Sequence, residues 1–263
     1  MSVMDEGLVV RAIRRRHGLA SELAGAAGIL TRLPVRNAAD SVGGGAFGLV
    51  GAAVGAAGGL VVIALGTVAP SIAAIGAVAV MAALSGALHL DGLADTADAL
   101  VAPTEEAAER ARSDPRAGPA AVAAIVVVLF ADWSIIGALI PRGGVIAAAA
   151  AVVIAGAASR AAAVLAPSNL PGRFRTGFGS WFAERVTGRD GLLSIATAMA
   201  VTAILAVVAA RPALALAGIA GLAAGFLWCL ALARIRRGLD GDALGALVEL
   251  TFTTTLLVAA LAT

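Results

Sequence analysis

The chain has no tyrosine, no lysine and one cysteine, and only 14% of its 263 residues are charged. Each shortage excludes something. With Cys229 alone there can be no intrachain disulfide and no thiolate metal site, and its place in an apolar run beside Trp228 marks it as inert packing. Aromatic residues make up 4%, and no basic run carries interleaved aromatics. No nucleic-acid partner is expected, despite a pI near 9.8. A soluble domain carries roughly a quarter charged residues. This chain is 60% hydrophobic with a mean hydropathy of +0.96, and in water it would expose large apolar patches. All nineteen basic residues are arginine, which together with the wealth of alanine and glycine reads as a GC-rich coding bias.

What is abundant is long apolar sequence. A membrane-spanning helix needs about 20 such residues, and runs of that size occupy 42–66, 68–90, 119–140, 144–166, 192–210, 213–233 and 243–262. The run 19–30 is shorter and contains Glu22, which predicts an interfacial or re-entrant helix. The expected fold is all-α: a polytopic helical membrane protein with about seven transmembrane helices plus a short N-terminal interfacial helix. Residues 1–263 would form a single integral membrane domain. Alternating sides from the N-terminus puts every arginine except Arg142 and Arg211 on one face, which the positive-inside rule makes the cytoplasm. The N-terminus is then cytoplasmic. It does not read as a cleaved signal, because Glu22 and Arg32 interrupt the stretch after Arg11, Arg14, Arg15 and Arg16.

Gly44, Gly48, Gly51, Gly55 and Gly59 recur at close to helical spacing and suit tight helix–helix approach in lipid. The run from Gly43 to Gly48 formally matches a dinucleotide fingerprint, but no strand precedes it and a span follows. No internal repeat suggests an inverted-repeat transporter.

The informative chemistry lies where the second apolar run ends, in His89-Leu90-Asp91-Gly92-Leu93-Ala94-Asp95-Thr96-Ala97-Asp98. At helical periodicity Asp91, Asp95 and Asp98 fall within an arc of about 60°. Three carboxylates on one face repel, and no arginine lies between Ala87 and Glu109 to offset them. A divalent cation would, and oxygen-only ligands suit Mg²⁺, or Mn²⁺ as a substitute, better than Zn²⁺. The alternative is a solvated helix end with ordinary surface acids. His89 reads equally as a catalytic, an orienting or a packing residue. A second acidic set opens the last span, where Asp242 and Glu249 share a face and Glu249 lies about 10 Å into the membrane. A lone charge there is costly and should face a polar cavity, a metal or a partner, or make an interhelical hydrogen bond. Arginines suited to bidentate phosphate contacts are Arg32, Arg116 and Arg160. The loop from Thr176 to Trp181 could offer backbone amides to an anion, although flexible-loop glycines explain it equally well. Asp132, inside the third span, has no explanation at this level. Carboxylates for metal and arginines for phosphate on one membrane face point to phosphoryl-group chemistry.

The segment from His89 to Asp98 resembles the hallmark of the cobalamin-5′-phosphate synthase (adenosylcobinamide-GDP ribazoletransferase) family. Thr31-Arg32-Leu33-Pro34-Val35, Asp114-Pro115-Arg116-Ala117-Gly118, Ala158-Ser159-Arg160 and the stretch from Gly241 to Leu250 follow in the family's order. Two positions depart from the pattern. Ala99 stands where the family often has glycine, and Pro115 where it usually has serine.

The resemblance implies a Mg²⁺-dependent enzyme of the late cobalamin pathway in the cytoplasmic (inner) membrane, with its active site facing the cytoplasm. It would join adenosylcobinamide-GDP to α-ribazole or its 5′-phosphate and release GMP. Asp91, Asp95 and Asp98 would hold metal. Asp242 and Glu249 would complete a second metal site or help deprotonate the attacking hydroxyl, with His89 a further catalytic candidate. Arg32, Asp114, Arg116 and Arg160 would form the substrate-binding set. The partners are these small molecules and the lipid bilayer, with a homo-oligomer or a complex with other late-pathway enzymes left open. Two other readings compete. A CDP-alcohol phosphotransferase would have Ala-Arg where this chain has Ala94-Asp95. An ion or proton transporter would use Asp91, Asp95, Asp132 and Glu249 as a relay, but its acids belong nearer the bilayer midplane.

Overall fold

The computed structural model describes residues 18–35, 41–114, 116–174, 177–235 and 238–263. Arg11, Arg14, Arg15, Arg16, Arg36, Arg175, Arg236 and Arg237, which enter the charge-sidedness argument, lie outside the described residues, as do Pro115 and Thr176. The described chain is helical almost throughout. In order come α1 (Leu19–Leu30), a 3₁₀ turn (Gly44–Ala46), α2 (Phe47–Leu65), α3 (Pro70–Ser85), α4 (Leu88–Val101) and α5 (Glu105–Ser113). Then follow α6 (Pro119–Gly143), α7 (Val145–Asn169), α8 (Gly177–Ala183), α9 (Gly188–Val208), α10 (Leu214–Ile235) and α11 (Gly241–Ala262).

Six helices among the described residues are long and apolar enough to cross a bilayer: α2 with its 3₁₀ entry, α6, α7, α9, α10 and α11. The seventh apolar segment is the bent pair α3 and α4, and here the structure departs from the sequence reading. The run 68–90 is not one straight span. The chain bends by 90° between Ser85 and Leu88. Two consecutive residues take the left-handed conformation, Gly86 at φ 62° and Ala87 at φ 57°. The Ala87 N–H reaches back to the Ala82 carbonyl at 2.8 Å and the Gly86 N–H to that of Ala83 at 3.1 Å, a Schellman-type close to α3. Hydropathy cannot register such a break, because both sides of it are apolar. The stretch after Thr176 also differs from expectation: it is the short helix α8, not a loop.

The central helix is α7, whose most apolar 18-residue stretch is 83% buried. It presents alanine on nearly every side, and α2, α9, α10 and α11 pack around it. Lipid gives no hydrophobic drive for helices to associate, so close van der Waals packing by small residues carries the bundle. The glycine stripe performs as expected. Gly51 and Gly156 lie backbone to backbone, and a Cβ on Gly55 would come within 2.8 Å of the Val152 carbonyl oxygen. Gly48 turns towards α9, where its N–H donates to Ser194 Oγ at 2.9 Å. Leu60, Val127, Phe130, Leu192, Val207 and Leu216 point outward and are exposed, the inverse of a soluble surface and right for lipid.

Candidate active site where α4 crosses α11

The 90° bend decides where the acidic motif goes. It turns α4 away from the axis of α3 and lays it against α11. The buried face of α4 is His89, Gly92, Leu93, Thr96 and Ala99, and Asp91, Asp95 and Asp98 occupy the rest of the helix, exposed or half-buried. Gly92 and Gly245 form the crossing point. A Cβ on Gly92 would meet the Asp242 carbonyl oxygen at 2.8 Å and the Gly245 Cα at 3.0 Å. The first turn of α11, with Asp242, therefore sits directly on the turn of α4 that carries Asp91 and Asp95. Asp240 caps that first turn, accepting the Ala243 N–H at 3.0 Å. Of the second acidic set, Asp242 thus joins the turn of α4 that carries Asp91 and Asp95, and Glu249 does not.

Asp98 has a further partner. Its Oδ2 accepts the Gly118 N–H at 2.6 Å and its Oδ1 the Ala121 N–H at 2.9 Å, so it caps the start of α6 from another helix. Carboxylates favour helix N-termini, where N–H groups lack partners. An ionised carboxylate has about four acceptor sites, so the cap leaves some of them open.

Arg32 is brought to the same corner. Its N–H donates to the Leu84 carbonyl at 2.8 Å, and its side chain lies across Gly86, leaving no room there for a Cβ. Glycine is thus required twice over at position 86, by its positive φ and by Arg32. Asp114 and Arg116 form a bidentate pair, Nε to Oδ1 at 3.0 Å and Nη2 to Oδ2 at 2.9 Å. Hydrogen bonds from the Arg116 side chain, then from its backbone N–H, hold the Asp114 carboxyl down to about 2. Both residues stand on the surface, just ahead of the Gly118 that Asp98 caps.

Arg160 and Glu249 lie elsewhere. Arg160 is 3% exposed within α7 and donates to Ser159 Oγ at 3.0 Å. With Glu249 of α11 and Asp132 of α6 it lines a small pocket of about 30 Å³, shared with Ser85, Leu90 and Phe252. That is room for a water or two. Asp132, unexplained by the sequence, is 2% exposed and accepts the Thr253 hydroxyl at 2.7 Å. Intramembrane acids are expected to face the bundle interior and find partners. The signal was present in the sequence, but the partners sit on three different helices. His89, 5% exposed, lies close enough to Arg160 for the charges to interact. Its Nδ1 has no hydrogen-bond partner among the described residues. Thus Asp91, Asp95 and Asp242 lie on the helix turns that meet at the α4–α11 crossing, Arg32 at the bend before it and Asp98 at the start of α6, while buried Arg160 and His89 and half-buried Glu249 form a second polar group. Asp114 and Arg116 flank the far end of α4.

Among the described residues no three His, Cys, Asp or Glu side chains converge on one metal position. A cation at this corner would take at most two carboxylates from the protein at one point. Substrate phosphates and water would supply the rest, which is the usual coordination of Mg²⁺. The all-oxygen donor set agrees with that ion.

Comparisons with known proteins identify the family. A family described as cobalamin-5-phosphate synthase matches residues 22–260. The adenosylcobinamide-GDP ribazoletransferase of Pseudomonas aeruginosa (strain UCBPP-PA14) is 34% identical over 243 residues, covering 84% of this chain and 90% of the relative. That of Citrobacter koseri is 37% identical over 207 residues, covering 78% and 81%. No solved structure matches. The family match takes in α1, the bent α3–α4 pair, the central α7 and the acidic start of α11, and on that ground the chain belongs to the cobalamin-5-phosphate synthase family.

Proposed function

We propose that this protein joins adenosylcobinamide-GDP to α-ribazole or its 5′-phosphate and releases GMP. The observation that carries this reading is the family match over residues 22–260, combined with an acidic corner assembled by α4 and α11. The ribazole 3′-hydroxyl attacks the phosphorus attached to the cobinamide arm. The bond from that phosphorus to the bridging oxygen breaks, GMP leaves with the oxygen, and the hydroxyl proton passes to a base.

Asp91 and Asp95 are the pair that would hold Mg²⁺, while Asp98 is committed to the start of α6. When bound, the ion would neutralise pyrophosphate charge and orient it for in-line attack. Arg32, at the bend, is placed to meet a phosphate oxygen entering beside Asp91. Asp242 is the carboxylate that would take the hydroxyl proton, a role supported by its place on the turn of α11 that meets α4. Arg160, Glu249 and Asp132 act from below as a charged layer. Arg116 is oriented by Asp114, which stays ionised at any physiological pH. The site faces the cytoplasm in the inner membrane, in keeping with the arginine distribution.

The test is turnover. Protein purified in detergent is supplied with adenosylcobinamide-GDP, α-ribazole 5′-phosphate and Mg²⁺, and GMP is followed, with Asp95→Asn and EDTA in parallel. Metal-dependent GMP release that disappears in the variant is expected. Folded protein that turns over neither these substrates nor CDP-alcohols would refute the enzyme reading.

A further inference from the structure

Between α1 and α8 lies a cleft of about 590 Å³ that none of the roles above uses. Gly28 and Ile29 of α1 form one wall, Val35 and Ser41 the floor, and Trp181 and Arg185 the other wall. Its volume falls in the range of small-molecule sites. Trp181 keeps 39% of its surface exposed, and the Arg185 guanidinium carbon stands 4.5 Å from the ring centroid. Arg185 also donates to the Trp181 carbonyl at 3.0 Å, and its nearest carboxylate, Glu184, is 3.9 Å away. The guanidinium thus lies over part of the aromatic ring, with the Glu184 carboxylate 3.9 Å from it and the Glu22 carboxylate held at the floor by the Ser41 hydroxyl at 2.8 Å. Opposite them, a Cβ on Gly28 would meet nothing within 4 Å, so that wall is bare backbone facing open space. A flat wall, an aromatic ring and a guanidinium together suit a planar base carrying a phosphate.

The walls of the cleft also support the acidic corner. α1 runs on through Thr31 into Arg32, which lies on the α3–α4 bend. On α8, Gly179 rests on the Asp240 backbone, so tightly that a Cβ there would come 2.6 Å from its carbonyl carbon, and Asp240 is the cap of the turn bearing Asp242. A ligand in the cleft would thus be held between the two elements that place Arg32 and Asp242. An interfacial aromatic anchor for lipid would explain Trp181 alone. It would not explain the bare wall at Gly28 or the shared supports.

We infer that this cleft binds a phosphorylated nucleoside, with its base between the Gly28 wall and Trp181 and its phosphate on Arg185. The inference rests on the proposed reaction, whose two substrates both carry such a group. The shared chemistry is an aromatic base with ribose and phosphate, and the two sources are α-ribazole 5′-phosphate and the guanosine end of the other substrate.

Trp133→Phe and Trp228→Phe leave Trp181 as the sole tryptophan. Its emission is titrated with α-ribazole 5′-phosphate in one arm and GMP in the other. A saturable change with one of the two is expected and identifies the source. Gly28→Leu projects into the cleft from a position where a Cβ meets nothing within 4 Å, and with Arg185→Gln it should weaken that binding by about fivefold or more. In turnover, Gly28→Leu should raise KM for the same substrate by a similar factor while kcat stays nearly constant. No saturable response to either nucleotide, or an unchanged titration in Gly28→Leu, overturns the inference. So does a response confined to nanodiscs of anionic phosphatidylglycerol, which would make the cleft a lipid headgroup site. The two readings fail separately. Wild-type protein without turnover that still binds nucleotide defeats the proposed reaction alone. Turnover with unaltered KM in Gly28→Leu defeats the cleft alone.

Discussion

Asp98→Asn separates two roles that one carboxylate holds together. In the structure Asp98 accepts N–H groups from Gly118 and Ala121, at the first turn of α6. Gly118 brings no side chain to cap that turn. Hydrogen bonds to a charged group contribute about 1.5–3 kcal/mol each, and a carboxylate at a helix N-terminus adds roughly 0.3–1 kcal/mol. Asparagine keeps one acceptor oxygen and loses the charge, so the variant should lose about 2 kcal/mol. For a chain of this size that lowers Tm by about 4–8 °C. Thermal unfolding in detergent measures this, alongside the Mg²⁺ concentration that gives half-maximal GMP release. Asp98→Asn should lower Tm and move the Mg²⁺ midpoint little. Asp95→Asn should raise the Mg²⁺ requirement by a larger factor. An Asp98→Asn protein with wild-type Tm and a tenfold higher Mg²⁺ midpoint would refute the capping argument and make Asp98 chiefly a ligand.

Three further outcomes follow from geometry. Gly245→Ala drives a methyl into the His89 backbone, 3.1–3.4 Å away, and should cost about 1–3 kcal/mol with a fall in kcat, read by unfolding and turnover. A loss of stability with kcat preserved would argue against the α4–α11 crossing as the seat of chemistry. Arg160→Met leaves Asp132 and Glu249 facing each other without their cation and should cost about 3–5 kcal/mol, much of it restored by adding Asp132→Asn. Additive losses in the double variant would show that the three groups do not act as a unit. In a Cys229→Ala background, Arg116→Cys should react with an impermeant maleimide only from the cytoplasmic side and Arg142→Cys only from the opposite side. Labelling of both from one side would overturn the sidedness.

The spans were legible because hydropathy is a local property. Six of the seven apolar runs became helices within a few residues of the expected limits, and the short run 19–30 became α1. The bend in the remaining run was not legible. Ala87 in a left-handed conformation leaves no compositional trace, and the Arg32 side chain that covers Gly86 comes from more than fifty residues away. The same limit hid the cluster of Asp132, Arg160 and Glu249. Each was visible as an unusual charge in an apolar run, but their meeting depends on how α6, α7 and α11 pack. The acidic face of α4 was legible as a face. The Asp98 bonds to the start of α6 were not, because they join segments on opposite sides of α5.

The bend also sets a length. α3 has 16 residues, roughly 24 Å along its axis, while a hydrocarbon core is about 30 Å thick. Beside α3 the bilayer must thin or the helix end must sink, so α4 lies at a depth fixed by the lipids as much as by the protein. Acyl-chain length thereby becomes a control on how far the acidic corner stands from the aqueous phase. A membrane that thickens would draw the carboxylates of α4 inward and away from the aqueous phase.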